Sequence, residues 1–209
     1  MILRADNLVK KIKGKTILDH ISIEFESGKV YGIVGRNGSG KTMLFRALSG
    51  LMKCDEGAVY LDDQQLGKDF PVLPDLGIVI ENAGLYPEYS GKKNLKLLSA
   101  LKGKISDEEI EEAIRRVGLD PNDKRPVRKY SLGMKQRIVI AQAIMEHPMI
   151  FMLDEPTNAI DENGVKELRK LIEQERQRGA MVLLASHSKE DIELLADVVI
   201  HMNEGKIIS

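Results

Sequence analysis

The sequence predicts an α/β fold: a mostly parallel core sheet flanked by helices, with an N-terminal antiparallel β part and a helical insertion. Three patterns predict it. From 149 onward, strand and helix patterns alternate, as strand 149–153, helix 161–178, strand 181–185, helix 189–196 and strand 198–202. That order gives a parallel sheet covered on both faces. The apolar run Lys29 to Val34 leads into a glycine-rich turn, then Lys41 to Ser49 places Leu44, Ala47 and Leu48 at helical spacing. Strand, glycine loop and helix begin a βα unit. Between 91 and 146 the spacing is helical.

The elements follow in order. The first thirty residues read as strands. Thr16 to Glu26 alternates Ile17, Ile21, Ile23 and Phe25 with polar neighbours, as a half-buried antiparallel strand does. Residues 57–61 and 77–80 read as two further strands, and 81–90, with Asn, Gly, Pro and Ser, as a loop. A helix starts at Ser106, which forms a capping box with Glu109, while Ile105 and Ile110 stand at the staple positions. Ile110, Ala113, Ile114 and Val117 make its apolar face and Gly118 suits its C-terminal cap. The expected organisation is one domain over 1–209. Residues 1–83 and 147–209 form the α/β core and 84–146 a helical subdomain.

With 209 residues, 43% of them hydrophobic, the chain can build one substantial core. A net charge of -1 gives no field favouring nucleic acid. Cys54, the single cysteine, has no internal disulfide partner and reads as a small, partly buried side chain. The N-terminus has no signal-peptide pattern, and no apolar run approaches the ~20 residues of a membrane span. Work at a membrane therefore requires a partner that spans it.

Gly35-Arg36-Asn37-Gly38-Ser39-Gly40-Lys41-Thr42 fits the P-loop pattern G-x-x-x-x-G-K-[ST]. Its glycines let backbone N–H groups turn toward phosphate oxygens, and the helix N-terminus adds partial positive charge. Lys41 reaches the β- and γ-phosphates of a nucleotide, and the Thr42 hydroxyl ligates Mg²⁺. The flexible surface loop is the bland alternative. The apolar strand 150–153 ends in Asp154-Glu155, at the sheet edge where α/β folds bind ligands. Asp154 can hold Mg²⁺, directly or through water, and Glu155 can polarise an attacking water as general base. A strand simply leaving the core in a charged turn is the alternative.

Tyr130-Ser131-Leu132-Gly133-Met134-Lys135-Gln136-Arg137, then Leu153 to Asp161, then Ser186-His187 resemble, in order, the signature, the Walker B strand with its D-loop, and the switch histidine of ABC ATPases. The resemblance runs from Leu3 to Ile207 and implies a P-loop NTPase fold with ATP and Mg²⁺ as ligands. It implies a head-to-tail homodimer or pseudo-homodimer in which Ser131 and Gly133 bind the partner's ATP in trans. It makes His187 a γ-phosphate contact, catalytic with Glu155 and Lys41, and places Asp161 at the dimer seam. Read alone, Ser131 and Asp161 are ordinary helix caps. His20, His147 and His201 read as structural.

Three positions depart from the family pattern. Glu81 stands where the family has Gln and joins Thr42 and Asp154 at Mg²⁺. Ile12, with Ile17, faces adenine where an aromatic ring is usual. The signature reads S-L-G-M-K. These features resemble the branch that exports bacitracin, lantibiotics and related drugs. The implied function is the ATP-hydrolysing subunit of an ABC transporter, peripheral on the cytoplasmic face of the membrane, serving a separate multi-span permease. A soluble ABC ATPase of iron–sulfur assembly or translation, or a P-loop small-molecule kinase, is the alternative. Leu85, Tyr86 and Tyr89 are expected to line a groove for a short helix of the membrane subunit, as exposed aromatics often anchor interfaces. Alternatively, Leu85 and Tyr86 pin the loop to its own domain.

Overall fold

The computed structural model describes residues 1–80, 84–103 and 105–208, with Lys102 described by its backbone only. In chain order the strands and helices are β1 (Ile2–Ile12), β2 (Lys15–Glu26), β3 (Val30–Val34), α1 (Lys41–Ser49), β4 (Glu56–Leu61), β5 (Gln64–Gln65), β6 (Leu76–Val79), α2 (Gly91–Lys102) and α3 (Asp107–Arg116). They continue with α4 (Leu132–Ile144), β7 (Ile150–Asp154), α5 (Glu162–Gln177), β8 (Met181–Ala185), α6 (Lys189–Leu195), β9 (Val198–Asn203) and β10 (Lys206–Ile207), and a 3₁₀ turn at Val127–Lys129 precedes α4.

The strands form two sheets. One, in the order β2-β1-β4-β5, is antiparallel. The other, β10-β9-β3-β8-β7-β6, is parallel except for the β9–β10 hairpin. Strands β3, β7 and β8 are buried almost end to end, which is why they read as unbroken apolar runs. Alternate residues face opposite sides. Phe151 and Leu153 enter a core shared with α3, α4 and α5, while Ile150 and Met152 enter one shared with α1 and the antiparallel sheet.

The β2 alternation differs from the sequence expectation. Leu8 pairs with Ile21 but Lys10 pairs with Leu18, so β2 carries an extra residue there, and His20 sits at φ +55°. Such a bulge reverses the pleat. Leu18 therefore enters the core and Ile17 turns outward, only half-buried.

The insertion between β6 and β7 holds α2, α3 and α4. The α3 capping box is formed, with Ser106 Oγ accepting from Glu109 N at 3.2 Å and Ser106 N donating to Glu109 Oε2 at 2.7 Å. The same N–H holds the Glu109 carboxyl below its usual range. Helix α4 packs against both α3 and β6, so it serves the insertion and the sheet together. Among the described residues no helix is long and apolar enough to cross a membrane.

One buried carboxylate fastens the insertion to the core. Glu175 on α5 is 2% exposed. Its Oε1 accepts from Arg116 Nη2 of α3 at 2.6 Å, and its Oε2 accepts from Arg178 Nη2 at 2.6 Å and Nε at 3.0 Å. Removing one member of such a cluster leaves buried charge uncompensated. Glu175→Ala is expected to lower the unfolding free energy by about 3 kcal/mol, seen as a lower urea midpoint with an unchanged slope.

Candidate nucleotide site

Strand β8 lies between β3 and β7, with Ala185 level with Ile33 on one side and Asp154 on the other. The segments leaving these strands therefore emerge together at the carboxyl edge of the sheet, the ligand-binding edge of open α/β folds. They are the glycine loop 35–40, Asp154-Glu155 and Ser186-His187.

The loop between β3 and α1 is built for close approach. A Cβ on Gly35 would stand 2.5 Å from both Ser39 Oγ and Met202 O. Gly40 caps α1 at φ +109°, a conformation closed to other residues. A Cβ on Gly38 would meet no atom within 4 Å, because that side opens into a cavity of about 720 Å³. The cavity wall comprises residues 37–43, Lys15 and Ile17 of β2, Gln136 of α4, and Asp154, Glu155 and Asn158. Its size is that of a small-molecule site.

Lys41 is 6% exposed. Its Nζ donates to Gly35 O at 2.8 Å and lies 3.8 Å from Glu155 Oε1. Thr42 Oγ1 donates to Asp154 Oδ2. Glu155 stands at φ +48°, held by its N–H donating to Ala185 O at 2.8 Å. Its Oε2 lies 2.6 Å from His187 Nδ1 and accepts from His187 N at 3.3 Å. Among the described residues, Glu155 Oε1 and Ser39 Oγ are buried without a hydrogen-bond partner. Glu155 Oε1 lies on the Lys41 side, where an attacking water would supply one.

These features fit a Mg²⁺-nucleotide. Magnesium takes hard oxygens, one or two from protein side chains and the rest from phosphate and water. A hydroxyl and a carboxylate already in contact, Thr42 and Asp154, suit that pattern. Among the described residues no three His, Cys, Asp or Glu side chains form a metal cluster.

Several sequence-selected residues lie elsewhere. Ile12 does not line the cavity. It ends β1 at 40% exposure, opposite Lys15 across the Lys13–Gly14 turn, while Lys15 and Ile17 form the wall there. Gly35 and Arg36 are likewise absent from the wall. Ser131 caps α4, its Oγ accepting from Met134 N at 3.1 Å. Gly133 is needed within its own chain, since a Cβ there would stand 2.6 Å from Ala159 O. Asp161 caps α5 by accepting from Gly164 N at 3.0 Å, and it also meets Arg137 Nη2 at 3.2 Å. Glu81 lies outside the described residues.

Sequence reasoning passed over Lys15, Met43, Gln136 and Asn158. Lys15 could have been found, because it shares the face of Ile17 by the two-residue strand period. It also passed over Asn94, 2% exposed on α2. Asn94 Oδ1 accepts from Tyr86 N at 2.7 Å, and its Nδ2 donates to the carbonyls of Tyr86, Tyr89 and Ser90 at 3.2, 3.3 and 3.0 Å. Leu85 is half-buried against the core, so it pins the loop. Tyr86 is 60% exposed, its ring 5.9 Å from that of Tyr89. A nearby groove of about 400 Å³ includes Leu85, Leu132 and Val139 but neither tyrosine.

Comparisons with known proteins agree with this geometry. A family model described as "ABC transporter" matches residues 18–158. The uncharacterized ABC transporter ATP-binding protein YybJ of Bacillus subtilis (strain 168) is 51% identical over 201 residues, covering 96% of this chain and 92% of that protein. The lantibiotic transport ATP-binding protein SrtF of Streptococcus pyogenes is 36% identical over 207 residues, covering 99% and 89%. A dimeric structure of a post-hydrolysis state of the ATP-binding cassette MJ0796 bound to ADP and Pi superposes with a TM-score of 0.88 at 22% identity, covering 99% of this chain and 97% of that one. Sequence and fold converge, and the chain belongs to the ABC transporter family as an ATP-binding subunit with ATPase activity.

Proposed function

We propose that this ATPase powers export of a drug, peptide or lantibiotic-like molecule through a separate multi-span membrane subunit. It sits peripherally on the cytoplasmic face of the membrane and pairs as a homodimer or pseudo-homodimer when ATP binds. The similarity to SrtF, a lantibiotic transport ATP-binding protein, supports the substrate class. The observation that carries the hydrolytic role is the Glu155 carboxylate. One oxygen is fixed by His187, and the other is buried, has no hydrogen-bond partner among the described residues and lies 3.8 Å from Lys41 Nζ.

In this reading, residues 35–42 cradle the phosphates and Lys41 exchanges its Gly35 carbonyl for phosphate oxygens. Thr42, Asp154 and Glu81 hold Mg²⁺, which when bound neutralises phosphate charge. Glu155 Oε1 accepts a hydrogen bond from the attacking water and orients it. His187 keeps Glu155 in place through Nδ1 and offers Nε2 to the γ-phosphate. A ring that donates from Nδ1 also donates from Nε2 only when protonated. Ser131 and Gly133 present the α4 N-terminus to the nucleotide of the second subunit. Residues 84–146 act as the helical subdomain, beside the core of 1–83 and 147–209.

Glu155→Gln is expected to bind ATP as the wild type does and to lose most turnover, accumulating as a dimer of doubled mass in light scattering. Turnover near the wild-type rate removes Glu155 from this role.

The base end of the cavity offers Lys15 and Ile17 and no aromatic ring. Stacking worth ~1–3 kcal/mol per base is therefore missing, and an ammonium only donates, which suits guanine O6 but not the adenine amino group. GTP is expected to compete within about tenfold of ATP in a displacement titration. A preference for ATP of about a hundredfold would mean that another group reads the base.

Tyr86 and Tyr89, with Lys93 Nζ 3.8 Å from the Tyr89 ring centroid, are proposed to meet the membrane subunit. The double change Tyr86→Ala and Tyr89→Ala is expected to leave basal ATPase within a few-fold and to abolish co-purification with that subunit. Normal assembly would place the docking surface elsewhere.

A further inference from the structure

Outside the cavity, a second polar cluster ties together the two segments that carry Glu155 and His187. Its centre is Asp191 in the first turn of α6, 2% exposed. Arg169, on α5, donates to Asp191 Oδ1 through Nε at 2.9 Å and Nη2 at 2.6 Å, and to Glu190 Oε1 through Nη1 at 2.9 Å. The other carboxylate oxygen, Oδ2, accepts from Thr157 Oγ1 at 3.1 Å. The backbone N–H of Asp191 donates to Ser188 Oγ at 3.2 Å, and Ser188 N donates to Ser186 Oγ at 3.0 Å. Arg169 also holds the Glu190 carboxyl below its usual range.

Thr157 follows Glu155 by two residues, and Ser188 adjoins His187. The segment from Glu155 to Ala159 begins and ends in the left-handed region, at φ +48° and +65°. Local backbone bonds from Asn158 N to Glu155 O and from Ile160 N to Thr157 O close it as turns. The side chain of Thr157 anchors it sideways to α6. One carboxylate thus fixes the carboxylate-bearing turn against the histidine-bearing turn, and one guanidinium fixes the carboxylate. A buried ion pair contributes little net stability compared with apolar packing of the same volume. It does fix direction, because the planar fork of Arg169 admits few geometries.

We propose that Arg169, Asp191 and Thr157 are positioning residues for hydrolysis, setting the separation between Glu155 and His187. This rests on the reading of Glu155 as the group that orients water. None of the bonds involved reaches the phosphate loop, so their loss falls mainly on turnover.

Thr157→Val removes the hydroxyl at constant shape, Thr157→Ser keeps it, and Arg169→Lys keeps charge but loses the fork. Each variant of the full chain is assayed for kcat and KM of ATP hydrolysis, for binding of a fluorescent ATP analogue, and for thermal midpoint, with Glu155→Gln in parallel. Thr157→Val and Arg169→Lys are expected to lower kcat about tenfold, within the cost of an ångström-scale misplacement. KM and analogue affinity stay near wild type, the proteins remain folded at the assay temperature, and Thr157→Ser restores the rate. Wild-type kcat in both impaired variants overturns the positioning role, as does KM rising in step with the loss or Thr157→Ser as slow as Thr157→Val. Full turnover by Glu155→Gln defeats the reading of Glu155 itself. Loss in Glu155→Gln with none in the other variants defeats the positioning role alone.

Discussion

The site depends on the parallel pairing of β8 between β3 and β7. Ile33, Ala185 and Asp154 share one level because of that register, and the glycine loop, the carboxylates and His187 leave the sheet from there. Strand residues rise about 3.3 Å each, so a slip of two residues would carry His187 some 7 Å along the sheet. Its contact with Glu155 is 2.6 Å and would not survive. A slip of one residue would exchange the two faces of β8, sending Val182 and Leu184 into the core that now holds Met181, Leu183 and Ala185. The packing of apolar side chains on both faces therefore sets the geometry of polar groups at the strand ends.

The two oxygens of Glu155 illustrate how that geometry is used. Oε2 is occupied by His187, whereas Oε1 is buried beside Lys41 with no hydrogen-bond partner among the described residues. The bond to His187 limits rotation of the carboxylate and leaves Oε1 directed toward Lys41. The left-handed backbone at Glu155, which costs of order 1 kcal/mol or more in a non-glycine residue, is what turns the side chain back over the sheet edge. Ala185 O secures it through the Glu155 N–H.

Much of this was legible in the sequence, and the reasons differ by element. Strands β3, β7 and β8 announced themselves because burial on both faces demands unbroken apolar runs, and α3 did so through Ser106 and Glu109. The phosphate loop was legible because its chemistry requires glycine and lysine at fixed spacing. The bulge at His20 was not legible. Nothing in a period-two pattern shows where a residue is inserted, so Leu18 did not read as core. Lys15 lay on the face of Ile17 and could have been read from it. Asn94, Glu175 and the Arg169–Asp191 pair were out of reach, because each joins segments whose proximity only the tertiary fold creates.

Asn94 has a mechanical consequence. It binds one N–H and three carbonyls of residues 86–90 to the first turn of α2, so the tip carrying Tyr86 and Tyr89 is stiff where loop tips are usually compliant. A push on those rings has a short route through Asn94 into α2. Helix α2 bears on α3, and α3 is pinned to the core at one charged point, Arg116 on Glu175. Load entering at the tyrosines thus meets a short rigid arm with its fulcrum on α5, the same helix whose Arg169 braces the turns around Glu155 and His187.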